Sequence, residues 1–484
     1  MVKVNILIAI FVIMLGILYL TKIREGHNWG DDFSMYIRHA KNIAEGADYK
    51  NTGYIYNPLN PIGPKTCPPI FPLLLTPVYV WFGLNLLAMK VEIILFLTLS
   101  LFMIYLALRD ELSSSYLVMI IAAIGFNYYF LNFVDNILSD IPFMFFMYLS
   151  LFFITKIYHS NKLWKPGILY AILLGLLIYF AYGTRGIGIL LMPSLIIYDL
   201  IKFKKITKLA IKVTILFVFF AIAQNYFLHN DYIYLKTFSF NYRIILNNIM
   251  NYSSSLFFFW YNGYSKFLQV VLFIVISALA IIGYFIRVKD KITILEIFLA
   301  LYVINLMIWP GPDPIRYIIP IIPLYLFYAF WAVENINLSQ NRIRISFFTT
   351  LILTIFVSYA GGYTTKWVYG PIGESVTKKE STDLFDYIRK GTDKKDVFIF
   401  QKPRALSLFT DRRASIYYLT NNDKDLWNYF LRINATHVIV SRIFNEDSTF
   451  LVPFVRRYKD NFQNVYSNSD FVVYRIKEFP YSQD

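Results

Sequence analysis

The residues best suited to chemistry stand in GHNWGDDFSMYIRHAKNIAEG, residues 26–46. Asp31 and Asp32 are adjacent carboxylates that follow closely on an uncharged stretch, residues 4–20. They open a segment in which Phe33, Ile37, Ala40 and Ala44 recur at i, i+4, i+7 and i+11, the period of an amphipathic helix. Such a helix is expected to lie along a membrane surface. An ionised carboxylate at a lipid–water boundary is well placed to take a proton from a hydroxyl that attacks a lipid-borne substrate. A competing reading is structural. Asp is a good helix N-cap, and the helix dipole favours it there by roughly 0.3–1 kcal/mol. Both readings stand at this point. His27 and His39 flank the pair and are expected to be solvated surface residues, with help to a divalent ion as the other option. No His pair has the HExxH spacing, and the single Cys67 rules out a disulfide framework or a Cys-built zinc site.

The elements that must hold this loop are apolar. Of 484 residues 57% are hydrophobic and 16% charged, against roughly 45–50% and 25% in soluble proteins. Mean hydropathy is +0.50. A secreted enzyme, a nucleic-acid binder or a disordered chain is excluded, and an all-α polytopic membrane protein is expected. Helical spans of about 20 residues fit residues 4–20, 88–108, 112–131, 137–155, 166–183, 186–201, 209–228, 267–286, 292–309, 317–333 and 346–362, about eleven in all.

The net charge of +15 would suggest a polyanionic partner in a soluble protein. Here the basic residues gather on alternate connections: Arg109; Lys156, Lys162 and Lys165; Lys202 to Lys212; Arg287 to Lys291; Arg342 and Arg344. The short opposite connections, near residues 132–136, 184–185 and 310–316, hold only Arg185 and Arg316. The positive-inside rule then puts the N-terminus in the cytoplasm and the C-terminus outside, with no role for nucleic acid.

The outer pieces are a polar loop (residues 21–69), an aromatic-rich loop (229–266) and the tail from residue 366. Residues 69–83 are apolar, too short to span comfortably and interrupted by prolines, so an interfacial or re-entrant element is expected. Tyr252, Trp260 and Tyr261 in the second loop suit either stacking on a sugar or an interfacial aromatic belt. The tail alternates helical and strand patterns: helices at 379–390, 424–433 and 454–462, strands at 396–400, 437–440 and 471–476. It is long enough for one small α/β domain. The expected division is 1–365 membrane domain and 366–484 exterior domain.

Several motifs in order along the chain carry a resemblance. Asp31, Asp32, Tyr36 and Gly46 stand roughly where a D-E-x-x-Y loop and its helix-ending Gly would be, and Pro68, Pro69 and Phe71 follow. LSDIPFMFF supplies Asp140 and Pro142; GTRGIGILLMP supplies Arg185, Gly188 and Pro193; IRYIIPIIPL supplies Arg316, Tyr317, Pro320 and Pro323. KPRALSLFTDRRA (402–414) and the closing VVYRI complete the series. The chain resembles the GT-C superfamily of membrane glycosyltransferases. Within it, the likeness is to the dolichyl-phosphate-mannose protein mannosyltransferase and aminoarabinose transferase group, of the family 39 type.

The resemblance implies sugar transfer, usually with inversion, from a polyprenyl-phosphate donor to an envelope glycan, lipid or protein acceptor on the exterior face of the plasma or inner membrane. It makes Asp31 the first candidate base and Asp32 the second. Leaving-phosphate cations are expected at Arg316, Lys65 and Arg185, with Asp140 as a supporting acid or a helix cap. In relatives the phosphate-binding Lys directly precedes the Pro-Pro pair; here Cys67 does, and Lys65 lies two positions earlier. No cofactor is certain. Some relatives use a divalent cation, and Mg²⁺ or Mn²⁺ on Asp31 and Asp32 is the candidate here. A non-catalytic transporter or flippase of lipid-linked saccharide is the rival reading.

Overall fold

The computed structural model describes residues 2–158, 167–228, 241–261, 263, 265–309, 314–335, 341–366, 371–420 and 422–480. Lys162, Lys165, the connection 310–313, much of the loop 229–266 and the side chains of Arg342 and Arg344 lie outside the described residues. In chain order the helices are α1 (Val2–Leu20), α2 (Asp31–Glu45), α3 (Ile70–Phe82), α4 (Leu86–Leu108), α5 (Ser114–Gly125), α6 (Tyr128–Val134), α7 (Asp140–Tyr158), α8 (Ile168–Thr184), α9 (Leu191–Phe203) and α10 (Lys208–Leu228). They continue as α11 (Tyr242–Phe259), α12 (Lys266–Asp290), α13 (Ile294–Ile308), α14 (Pro314–Ile318), α15 (Ile322–Asn335), α16 (Asn341–Lys366), α17 (Lys379–Gly391), α18 (Pro403–Thr410), α19 (Asp423–Arg432) and α20 (Val452–Arg457). The strands are β1 (Val397–Ile399), β2 (Arg413–Ser415), β3 (His437–Ser441), β4 (Phe462–Ser467) and β5 (Phe471–Ile476).

Every expected span overlies a helix, but not every helix is long enough to cross a bilayer by itself. Among the described residues six are: Leu86–Leu108, Asp140–Tyr158, Gly186–Phe203, Lys208–Tyr226, Lys266–Asp290 and Pro314–Asn335. This fits a multi-pass membrane protein. The single span expected over 112–131 is instead a pair, α5 and α6, bent by 59°. Asn127 makes the break: its side chain accepts from Tyr129 N–H at 2.8 Å and caps α6, while its Nδ2 donates to Phe259 O at 3.2 Å. Shorter apolar helices cover the remaining expected spans.

The chain divides into two compact units. The first comprises Met1–Ile23 and most of Lys90–Tyr369, and it is almost entirely helical. Its tightest helix pair, α12 on α15, is made possible by Gly283. A Cβ there would fall 2.1 Å from Tyr328 O, so only glycine permits the approach. Arg287 at the end of α12 donates to Glu296 at 2.6 Å and to Glu111 at 2.7 Å, closing that end of the bundle. Tyr252 and Trp260 are 7% and 0% exposed, so neither is an open sugar-stacking platform. The aromatic loop also contains α11, which Asn248 ties to the end of α13 by donating to the carbonyls of Leu306, Met307 and Trp309.

The second unit joins Arg24–Met89 to Gly370–Asp484. Its five-stranded sheet runs β2-β1-β3-β5-β4, with β1 parallel to β2 and β3, and β5 antiparallel to β3 and β4. The expected boundary at 365/366 therefore needs correction: the first loop belongs structurally with the tail. Trp29 is the reason most visible in packing. It is buried amid Phe385, Phe400, Phe444 and Phe471, with ring centroids 5.8–5.9 Å away. Backbone bonds add to it, Ala414 N–H to Gly53 O at 3.0 Å and Ile55 N–H to Ala414 O at 2.8 Å, so the loop runs beside β2. The apolar stripe of α2 is likewise not bare. Phe33, Ile37 and Ala40 are at most 1% exposed, covered by α3 and α18 rather than set on a membrane surface.

Candidate active site

In the second unit, Asp31 and Asp32 are the first two residues of α2. Gly30 precedes them without a side-chain cap, so the two carboxylates stand at the uncompensated N-terminal end of the helix dipole. The entry to the helix is fixed from outside: Gly30 N–H donates to Asn28 Oδ1 at 3.0 Å, and Val376 N–H donates to His27 O at 2.9 Å. Cations from the tail face both acids. Lys402 Nζ lies 3.4 Å from Asp31 Oδ2, and Arg404 Nη1 lies 3.4 Å from Asp32 Oδ1. They flank Pro403, whose fixed φ starts α18 and sends both side chains from one turn.

Arg404 is held through its two terminal nitrogens. Its side chain is 1% exposed, its Nη2 donates to Pro64 O at 2.7 Å, and its guanidinium sits 5.0 Å from the centre of the Tyr54 ring. Gly63 keeps the space open: its φ is +124°, and a Cβ there would stand 3.0 Å from Nη2. At the far end of α18, Asp411 takes Lys41 at 2.8 Å and also Arg38, fastening α2 to α18 along its length. Asp31 retains one unused acceptor. Its Oδ1 is buried with no hydrogen-bond partner. Burial pushes the Asp31 carboxyl above its ordinary range, opposed first by Lys402 and then by Arg404. A carboxylate with a free oxygen and a raised pKa is the right kind of group for taking a proton from a hydroxyl.

His39 organises the loop behind the acids. It is fully buried and stacked on Tyr49, with ring centroids 3.9 Å apart. Its Nε2 accepts from Cys67 N–H at 3.1 Å, so Nδ1 carries the proton and donates to Tyr49 O at 2.9 Å. Tyr49 Oη donates to Cys67 O at 2.7 Å. Burial lowers the His39 pKa to about 3. His27 is buried too, stacked on Phe33 at 3.9 Å. The expectation of solvated histidines is corrected: packing claims both rings. Lys65 is exposed and stands 5.4 Å from the centre of the Tyr56 ring.

The first unit gathers the other candidates. Asp140, fully buried at the start of α7, receives Arg316 on Oδ2 from Nε at 3.2 Å and from Nη2 at 3.1 Å, and pairs with Arg185 through Oδ1. Arg185 ends α8 in an extended conformation and lies 5.2 Å from the centre of the Tyr317 ring. One carboxylate thus holds two guanidiniums, one on each oxygen. Nearby in sequence, the fully buried Lys90 pairs with Asp135 at 2.7 Å.

Lys402, Arg404 and Tyr54 are absent from the sequence-based candidates. The one local signal was two cations flanking a helix-opening proline, in a motif already singled out. The acid pair as it stands does not fit a divalent-ion site: each carboxylate faces a side-chain cation. Among the described residues no group of three or more His, Cys, Asp or Glu is placed to hold a metal.

No family model matches the sequence, and no curated protein matches it. Solved structures do match the fold. ArnT from Cupriavidus metallidurans bound to undecaprenyl phosphate superposes with a TM-score of 0.57 at 12% identity, over 100% of this chain and 99% of that one. The archaeal oligosaccharyltransferase AglB from Archaeoglobus fulgidus, in complex with an inhibitory peptide and a dolichol-phosphate, gives 0.59 at 12% identity, over 99% and 74%. The same AglB in complex with Zn and sulfate gives 0.58 at 13%, over 97% and 72%. The chain thus has the fold of the GT-C glycosyltransferases that its sequence resembles.

Proposed function

We propose that the protein is a multi-pass membrane glycosyltransferase that moves a monosaccharide from a polyprenyl-phosphate donor to a hydroxyl-bearing acceptor of the cell envelope. The observation that carries this reading is Asp31 Oδ1, a buried acceptor without a partner on a carboxylate with a raised pKa. That this chain shares its fold with an undecaprenyl-phosphate-bound and a dolichol-phosphate-bound structure supports the donor class.

In the reaction, Asp31 removes the acceptor hydroxyl proton as the oxygen attacks the anomeric carbon. The bond from that carbon to the phosphate oxygen breaks, its electron pair leaves with the polyprenyl phosphate, and the sugar is inverted. Asp32 is the alternative base. Arg185 and Arg316 are proposed to face the growing phosphate charge, where low water content makes electrostatic stabilisation strong. Asp140 fixes the direction of both guanidiniums. Lys65, exposed beside Tyr56, is a third cation for the phosphate. The proposed topology places the N-terminus in the cytoplasm, about eleven spans in the bilayer, and the acid pair and the tail outside. The acceptor is an envelope glycan, lipid or protein.

The test is sugar transfer from a labelled polyprenyl-phosphate sugar to envelope acceptor by the purified protein in detergent, comparing wild type with Asp31→Asn and Asp32→Asn. Loss in the first variant supports the reading. Full activity in both removes the base from this pair and the reading with it.

A further inference from the structure

We propose that Lys402 is a positioning residue for Asp31: its ammonium keeps the carboxylate ionised and oriented through Oδ2, leaving Oδ1 to the acceptor, the work a divalent ion would otherwise do. Arg404 does the same for Asp32. The inference rests on the reading of Asp31 as the base.

Three observations carry it. The contact is one-sided: Lys402 reaches Oδ2 at 3.4 Å, while Oδ1 is buried and has no partner. The cations are not loose surface charges. Lys402 is seated 5.7 Å from the Phe444 ring centre, and Arg404 is clamped by Pro64 O and Tyr54. Finally, the surroundings leave few rivals for the role. Asp31 faces Lys402 and Arg404 from the start of α18, Asp32 from its own helix, and the Tyr54 hydroxyl from the loop. The helix α3, packed against α2, carries no charged side chain. Lys402 in turn feels Asp447.

Two adjacent carboxylates in a partly desolvated site repel each other, and one of them would hold a proton unless positive charge stood close by. A divalent ion is one supply. Two side-chain cations delivered by a single helical turn are another, fixed in stoichiometry and independent of ion concentration. Because they are tethered through Pro403, they also set the direction in which each carboxylate points.

Reaction with dicyclohexylcarbodiimide tests this without a known acceptor, since the reagent labels protonated carboxyls in apolar surroundings. The full-length protein in detergent is labelled across a pH series, and modification of Asp31 is quantified by peptide mass spectrometry. In Lys402→Met the labelling midpoint is expected to rise by about one pH unit, while Lys402→Arg keeps the wild-type midpoint. An unmoved midpoint in Lys402→Met, or an equal rise in Lys402→Arg, overturns the proposal. A second arm needs no variant: millimolar Mn²⁺ is expected to leave wild-type labelling unchanged, and protection of Asp31 by Mn²⁺ overturns the proposal. Neither arm depends on turnover. Failure here alongside a dead Asp31→Asn enzyme removes Lys402 and keeps the base; a fully active Asp31→Asn enzyme removes the base.

Discussion

Arg316 grips a single oxygen of Asp140, donating to Oδ2 from Nε and from Nη2 at 3.2 and 3.1 Å, while Arg185 takes the other oxygen. The carboxylate is the keystone between two like charges. Asp140→Asn should therefore destabilise the helical unit, by up to about 3–5 kcal/mol, since it removes the buried charge that holds two partly buried guanidiniums side by side. Arg316→Lys keeps the charge but loses the fork and should fall between. Melting in detergent ranks the three proteins; a variant as stable as wild type refutes the keystone role.

Transfer itself should respond most to Asp31. General-base assistance is typically worth ~10²–10⁴-fold, so Asp31→Asn should lower kcat by that order with little change in donor affinity. An equal loss confined to KM would indicate binding in place of proton transfer.

Gly63 provides a test remote from the acids. Its φ of +124° is costly for any other residue, and an added Cβ would press on Arg404 Nη2 at 3.0 Å. Gly63→Ala is expected to cost about 1–3 kcal/mol. Part of that cost should vanish when Arg404 is also removed, because the two changes share a contact. Strict additivity of Gly63→Ala and Arg404→Ala in thermal unfolding would count against the contact.

The pH dependence of stability should carry two opposite signatures. His39 has a folded pKa of about 3 against an ordinary 6.5. The unfolded chain gains that proton first, so stability falls as pH drops from 6.5 toward 3, by about 1.4 kcal/mol per pH unit. Asp447 is raised by burial from 3.8 to about 7. The folded form holds a proton that the unfolded one has lost, so this contribution is full below pH 3.8 and fades as pH climbs to 7. Relative to wild type, His39→Gln should gain stability as pH falls through this window, and Asp447→Asn should gain as it rises. Flat difference curves would contradict the burial of these groups.

Much of the fold was legible because its signals are local. Uncharged runs mark the apolar helices, and β1, β3 and β5 overlap the expected strands. What failed was anything set by distant packing. Periodicity showed that Phe33, Ile37 and Ala40 share a covered face, but not that α3 and α18 rather than lipid supply the cover. Arg404 meets Asp32 across 372 positions of sequence, a pairing no local pattern encodes. His27 and His39 read as surface residues among polar neighbours, yet aromatic stacking buries both. Strands β2 and β4 carry no local signal: β2 is only three residues long, and β4, FQNVYS, breaks the apolar–polar alternation of a strand.

Trp29 sits among phenylalanines that the ribosome delivers hundreds of codons later. A nascent chain halted before residue 385 has the acid-bearing segment but neither the aromatic nest for Trp29 nor the cations of the KPR turn. The proposed site is thus complete only once the last portion of the polypeptide has been made, and a truncation made there to trim an apparent appendage would remove the other half of the site's own support.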